Sequence, residues 1–418
     1  MYKQYLAQSL QLLKQNKFFS IISIFGTALT IAFVMVVYMV YNIRTTDISP
    51  ENNRDRMIYS GDGYSYLTKD HSSCNGGMSL KAARIIFNSL PHAELVAFEK
   101  KSFMAYAGSA KEDGMRRKVK RVDTATWKLF HYQFTAGRPF NDEEFHSYRK
   151  VAVITENVAR QAFLTTDVIG KDILVNFQPY RIVGVIKDVS SVFDNAYSEI
   201  WIPYDINDEG WRTNEEMVGE FKAIVLARRA SDIDLVKQEV ANSIAKLNKS
   251  LTEHTFEMKK VYSHVENSFL KDSDMNPVWL FSILTLILLI VPAINISGLL
   301  SSQMKKRLSE IGVRKAYGAY RYQILMQFMT ENFVLALIGG FIGFILSCCT
   351  LYIFKTWLLA GDTALRAAQN FDISIFLFLR PSIFGCIFLV CILFNMLSVF
   401  IPAFQATKKD IIYALKGE

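Results

Sequence analysis

Charged side chains are missing from four long stretches of this 418-residue chain: residues 18–43, 275–304, 332–354 and 381–407. Each is longer than the ~20 residues an α-helix needs to cross a bilayer. A buried core helix seldom runs so far without a charge. The absence argues against an ordinary soluble fold and predicts four membrane spans. Cysteine is scarce: there are five, and Cys348, Cys349, Cys386 and Cys391 lie inside those stretches. Only Cys74 lies outside, so no disulfide framework can be built, and no CxxC pair points to zinc. The histidines (His71, His92, His131, His146, His254 and His264) are nowhere paired at ligand spacing. His131, between Phe130 and Tyr132, reads as a packed surface residue. The run Asp142-Glu143-Glu144 offers too few oxygen ligands for calcium or magnesium and reads as a solvated turn. HExxH, GxSxG and GxxxxGK[ST] are all absent. No catalytic, cofactor-binding or metal-ligating residue is therefore expected.

What the chain has in excess is positive charge, and its placement matters more than its total. The net charge is +8. Much of the excess lies at the ends of the apolar stretches, at Lys3, Lys14 and Lys17 and in a cluster of Lys305, Lys306, Arg307, Arg314, Lys315 and Arg321 against Glu310. That is the positive-inside bias of a membrane protein, not a phosphate-binding face, so no nucleic acid partner is expected. It puts both termini and the 305–331 segment in the cytoplasm. The first apolar run is longer than a signal-peptide core and lacks a small-residue cleavage site before Arg44, so it reads as an uncleaved anchor.

The expected organisation follows in chain order. Residues 1–17 form a short amphipathic helix with Leu6, Leu10 and Leu13 on one face, suited to the membrane interface. Residues 18–43 are the first span, with a small-residue stripe of Ser20, Ser23, Gly26, Thr27 and Thr30 marking a packing face. Residues 44–274 form an extracytoplasmic mixed α/β domain of two subdomains. Near its start a strand (57–60), a helix capped by Ser79 and a strand (94–98) are expected; near its end a strand (221–227), a helix capped by Ser231 and a strand (255–261) repeat that order. Between them, about 118–214 reads as an insertion of short strands at 151–154, 173–175, 181–186 and 199–202, with turns at Gly137 and Gly170. Asn248 opens an Asn-Lys-Ser sequon, which alone says little.

The second span (275–304) carries Pro292 in its middle, expected to kink it. Residues 305–331 follow as a basic segment. As one helix it would place Arg307, Glu310, Arg314 and Arg321 on one face, with Met304, Leu308 and Ile311 on another, and a break is expected near Gly318. Charge alone leaves two readings, a topology signal or a docking surface; Ile311, Val313 and Ala316 threaded among the charges favour the second. The third span (332–354) contains Gly339 and Gly343 in a GxxxG, which permits close helix contact either within one subunit or across a dimer seam. Residues 355–380 are a short outside loop, 381–407 the fourth span and 408–418 a cytoplasmic tail.

The run Arg307-Leu308-Ser309-Glu310-Ile311-Gly312-Val313-Arg314-Lys315-Ala316-Tyr317-Gly318-Ala319 resembles the R-x-x-E-I-G-V-R-K-A-x-G-A signature of MacB/FtsX-type ABC transporter permeases, with Tyr317 where a small or aliphatic residue is usual. Gln327-Phe328 with Glu331, and Pro402-Ala403-Phe404-Gln405-Ala406 with Ala414-Leu415-Lys416, are similar to later family motifs; residues 151–163, 169–171 and 183–188 resemble its periplasmic domain more loosely. The resemblance implies four spans in a bacterial inner membrane and a dimer, homo- or heteromeric. It also implies an ABC ATPase, separate or fused, that binds ATP and grips this segment, here Arg307, Glu310, Ile311, Val313, Arg314, Lys315 and Ala316; with no GxxxxGK[ST] in this sequence, a separate cytoplasmic subunit is expected. With no charge inside a span, mechanotransmission is expected rather than passage through the bilayer. Two functions stay open: efflux or extrusion of a peptide, lipid-like or lipoprotein substrate, aided by a periplasmic adaptor, or an FtsX-like regulatory role activating a periplasmic partner such as a cell-wall hydrolase.

Overall fold

The computed structural model describes residues 17–67, 73–109, 114–190, 193–205, 217–252, 254–269, 277–359 and 381–408. The amphipathic helix expected over 1–17, nearly all of the loop over 355–380 and nearly all of the tail over 408–418 lie outside them. Two compact units divide the chain. Helix α1 (Lys17–Thr45) is the first described element, and the mixed domain follows, from Arg44 to Asp274.

The domain is built on strands β1 (Met57–Ser60), β2 (Gly63–Leu67), β3 (Ser73–Met78), β4 (Ala93–Gly108), β5 (Met115–Val122), β6 (Phe134–Gly137), β7 (Val151–Thr155), β8 (Asp172–Val175), β9 (Gln178–Ile186), β10 (Ile200–Pro203), β11 (Val218–Gly219), β12 (Phe221–Ala227), β13 (His254–Met258) and β14 (Val261–Ser263). Its helices are α2 (Leu80–Phe87), α3 (Ala125–Leu129), α4 (Asp142–His146), α5 (Glu156–Phe163), α6 (Ile233–Ser250) and α7 (His264–Phe269). The strands join in one sheet, ordered β13-β2-β3-β12-β4-β5-β10-β7-β9-β6 along its main path. Most pairs are antiparallel; β5–β10 and β7–β9 are parallel. Strand β7 (VAVIT), flanked by β9 and β10, has all five residues buried, as β-branched residues in a central strand should be.

Both expected helices cover this sheet. Ser79 Oγ accepts from the Ala82 N–H at the start of α2, which buries Ala83, Ile86 and Phe87. Helix α6 buries Val236, Val240 and Leu247 in the same core. Ser231 does not cap it; a short 3₁₀ turn over Ala230–Asp232 intervenes, and Ser231 Oγ turns to Asp232. The strand expected over 255–261 is two strands, β13 and β14, broken where the Lys259 N–H donates to Asp62 O. The strand expected over 94–98 runs on to Gly108, because Lys100, charged but buried, pairs with Glu220 and lies over the Phe221 ring. The run Asp142-Glu143-Glu144 is no solvated turn: it opens α4 through a capping box with Asn141, and Glu144 takes both guanidinium nitrogens of Arg138. Beyond β5 a second apolar cluster gathers Val119, Ile154, Ile173, Ile182 and Ile200.

Asn248 has a structural task. Its Nδ2 donates to Phe256 O at 2.8 Å and its Oδ1 accepts the Phe256 N–H at 2.9 Å, so its amide serves strand β13 as a neighbouring strand would. Asn248→Ala leaves both backbone groups of a buried residue unpaired. We expect a loss of about 2 kcal/mol, read as a lower thermal midpoint of the detergent-solubilised chain, with no rescue by Asp, which lacks the donor.

The other unit joins α1 to helices α8 (Pro277–Lys306), α9 (Leu308–Ala316), α10 (Arg321–Leu359) and α11 (Pro381–Lys408). Among the described residues three segments are long and apolar enough to cross a membrane: Ser20–Thr45, Arg321–Ile353 and Gly385–Lys408. A shorter apolar run, Val278–Ile290, lies in α8. The Pro292 side chain, expected as a kink, lies outside the described residues. Helix α10 continues past the expected end of its span through Leu359. Helix α1 turns Ser20, Ser23, Thr27, Ala28 and Ile31 inward and Phe18, Ile21, Phe25, Leu29 and Phe33 outward, an arrangement suited to lipid outside and close helix contact inside. A Cβ on Gly339 would lie 2.9 Å from Thr27 Cβ, and one on Gly343 2.6 Å from Ala28 O. Of the two settings left open for the GxxxG, the contact here is within one chain, α10 on α1. Asn395 Nδ2 donates to Thr27 Oγ1 at the same packing face.

Candidate functional site

The basic segment is a short helix set between two breaks. Helix α8 stops at Lys306, Arg307 lies outside helical geometry (φ −99°, ψ 8°), and α9 begins at Leu308. After its nine residues and Tyr317 the chain turns at Gly318, with φ +88°. The Gly318 N–H reaches Lys315 O and the Ala319 N–H reaches Arg314 O, both at 3.0 Å, a Schellman turn in which glycine takes the left-handed position. Gln323 Oε1 accepts the Tyr320 N–H at 3.2 Å as α10 begins.

The breaks rearrange the face expected of one continuous helix. Arg307 and Arg321 fall outside α9, leaving Glu310 and Arg314 as its i, i+4 pair at 2.6 Å. Arg307 Nη1 reaches Glu331 Oε2 at 3.2 Å instead. Arg314 Nη1 donates to Gln327 Oε1 at 2.5 Å, and Gln327 Nε2 donates to Glu331 Oε1 at 3.2 Å. Lys315 Nζ donates to Thr407 O, a carbonyl of the last turn of α11, at 2.7 Å. Ile311 is 3% exposed, packed with Leu300, Met304, Ile324, Phe328, Val399 and Ala403. It is therefore not part of an exposed contact surface as expected; it anchors α9 to the helices behind it. Lys305, Lys306 and Leu308 have side chains outside the described residues.

What α9 and the turn after it present to solvent is different. Val313 is 45% exposed, Tyr317 89% and Tyr320 75%, with Glu310, Ala316, Arg321 and Tyr322 also exposed. The tyrosines lie outside the contact set the sequence suggests; their signal is a cluster of aromatic residues around the Gly318 turn. The site is thus a helix anchored on one side by Ile311 and a guanidinium–carboxylate–amide seam, and open on the other through an apolar and aromatic edge. Among the described residues no group of three or more His, Cys, Asp or Glu side chains could hold a metal ion.

Long apolar helices and a sheet-rich domain together mark a membrane protein, and the comparisons place it further. Residues 20–243 match the MacB-like periplasmic core domain and residues 282–411 the FtsX-like permease C-terminal region. The chain belongs to the MacB/FtsX family of permeases. The macrolide export ATP-binding/permease protein MacB of Escherichia coli (strain K12) is 25% identical over 276 residues, covering 62% of this chain and 40% of that protein; MacB of Shigella flexneri gives the same values. The chain thus spans about 40% of the length of the curated relatives it matches. The crystal structure of the periplasmic region of MacB from Actinobacillus actinomycetemcomitans aligns with TM-score 0.38 and 12% identity, covering 54% of this chain and 98% of that one. The extracellular domain of the noncanonic ABC-type transporter YknZ from Gram-positive bacteria aligns with TM-score 0.35 and 16% identity, covering 48% and 100%.

Proposed function

We propose that this chain is the transmembrane subunit of an ABC-type complex in the bacterial inner membrane, crossing it four times with α9 on the cytoplasmic side. A partner ABC ATPase grips α9, and a second permease copy pairs with this one. ATP-driven motion passes to the extracytoplasmic domain and drives efflux or extrusion of a peptide, lipid-like or lipoprotein substrate, with a periplasmic adaptor as a further partner. One observation carries this reading: α9 is anchored and exposed at once. A push on Val313, Ala316, Tyr317 or Glu310 is delivered through Ile311, Arg314 and Lys315 to α8, α10 and α11, because packed side chains transmit displacement instead of absorbing it.

Charge reversal tests it. Glu310→Lys places a cation beside Arg314 on the exposed side of α9. Co-purification with the ATPase and its stimulated turnover are expected to fall at least tenfold, while the chain still inserts and melts normally; Arg314→Glu, which also breaks the Gln327 contact, should fall further. Full coupling in both variants would refute the docking role.

A further inference from the structure

The domain's chain enters at Arg44–Arg54 and leaves through α7, and buried polar contacts tie these two segments together. His264 lies on α7 with its Nε2 2.8 Å from Arg44 O, which can only accept, so Nε2 carries the proton. Its Nδ1 then accepts from the Tyr59 hydroxyl at 3.1 Å. Arg44 Nη1 returns to Ser268 O at 2.8 Å. A second set fixes the incoming segment to the turn at 193–197. Glu51 Oε2 accepts from Arg54 Nε at 2.7 Å, and Glu51 Oε1 accepts the Ala196 N–H at 3.0 Å. Arg54 Nη1 donates to Thr46 O at 2.8 Å, and its guanidinium lies 5.1 Å from the Phe193 ring centre. A third link runs from α7 to that turn, Asn267 Nδ2 to Asn195 Oδ1 at 3.1 Å; Lys120 holds Asn195 O and Glu99. Both members of the Glu51–Arg54 pair are 1% exposed in their side chains. Such a pair is a poor source of stability compared with apolar packing, so its use here favours a fixed geometry over net stability.

We propose that Arg44, Glu51, Arg54, Asn267 and His264 form a positioning junction that locks the incoming and outgoing segments to each other and to the 193–197 turn, so that motion reaching either segment moves the whole domain. The lock rests on this geometry; what the motion serves rests on the function proposed above.

Hydrogen–deuterium exchange on the full-length chain in nanodiscs tests it. His264→Leu is expected to speed exchange at least fivefold in residues 44–54 and 261–269 together, leaving α2, α6 and β12 protected. Faster exchange confined to 261–269 would overturn the lock. Asn267→Ala is the milder variant and should speed exchange in both 193–197 and 264–269; an effect on one alone counts against the proposal. In the complex co-purified with its ATPase, ATP with vanadate should shift exchange at 44–54 and 261–269 in the same direction in the wild type. In His264→Leu it should shift only one, with ATPase binding retained. A merely structural His264 would leave the two responses correlated. Loss of ATPase binding in Glu310→Lys reports on the docking role separately.

Discussion

Gly343→Val is expected to unseat α1 from α10. A Cβ at Gly343 falls 2.6 Å from Ala28 O, 3.0 Å from Ile31 Cβ and 3.2 Å from Ala28 Cα, so it meets backbone that cannot rotate away. Gly340 differs: its Cβ would meet the Phe388 ring, the end of a side chain that can swing. Gly298 has nothing within 4 Å. The graded expectation is a loss of about 3 kcal/mol or more for Gly343→Val, less for Gly340→Ala, and a neutral or slightly favourable change for Gly298→Ala, where alanine improves helix propensity. Thermal melting with size-exclusion recovery in detergent reads the series. Equal melting of all three would show that α1 and α10 do not meet through Gly343.

The second large effect is acid sensitivity of the domain, dominated by His264. Burial, then the nearby charge of Arg54, push its imidazole from the ordinary 6.5 down to about 3, while the contact with Arg44 O opposes them. Between those values the unfolded chain binds a proton that the folded one refuses. The stabilisation is therefore complete above pH 6.5 and is lost as pH falls toward 3, on the order of 4 kcal/mol over the full window. Glu266 acts in the same sense lower down: burial pushes its carboxyl up, but the hydrogen bonds from Lys237 and the Ser263 N–H outweigh it and bring it to about 2, so its contribution is lost as pH falls from 4.5 toward 2. Asp123 acts oppositely. Burial raises it to about 6 against its backbone donors, so its contribution is lost as pH rises from about 4 to about 6. Comparing wild type with His264→Gln cancels the other groups. The gap in melting temperature should be widest at pH 7.5 and shrink steadily toward pH 4; a gap that stays constant would mean that His264 titrates normally in the folded state.

How far these features were legible in the sequence depended on how local their causes are. Apolar windows and the Gly318 break were readable because length, charge and a left-handed turn are properties of neighbouring residues. So were α2, whose helical period matches its burial, and β12, a short apolar run that is almost wholly buried. The long reach of β4 was hidden because Lys100 is charged yet buried, a state set by Glu220 and Phe221 far along the chain. Ile311 looked like part of a surface because its partners, Ile324, Phe328 and Val399, come from other helices. His264 was unreadable for the same reason: Tyr59 and Arg44 stand more than 200 positions away.

The central claim is that α9 is where an ATPase takes hold, and a photo-cross-linking amino acid at position 317 tests it most directly. Tyr317 is 89% exposed, more than Tyr320 at 75%. Irradiation of native membranes should trap a single adduct containing a P-loop ATPase, its yield changing when ATP and vanadate are added, with no such adduct from the same group at buried position 311. An adduct lacking an ATPase, or none at 317 when the chain is present and folded, would contradict the account.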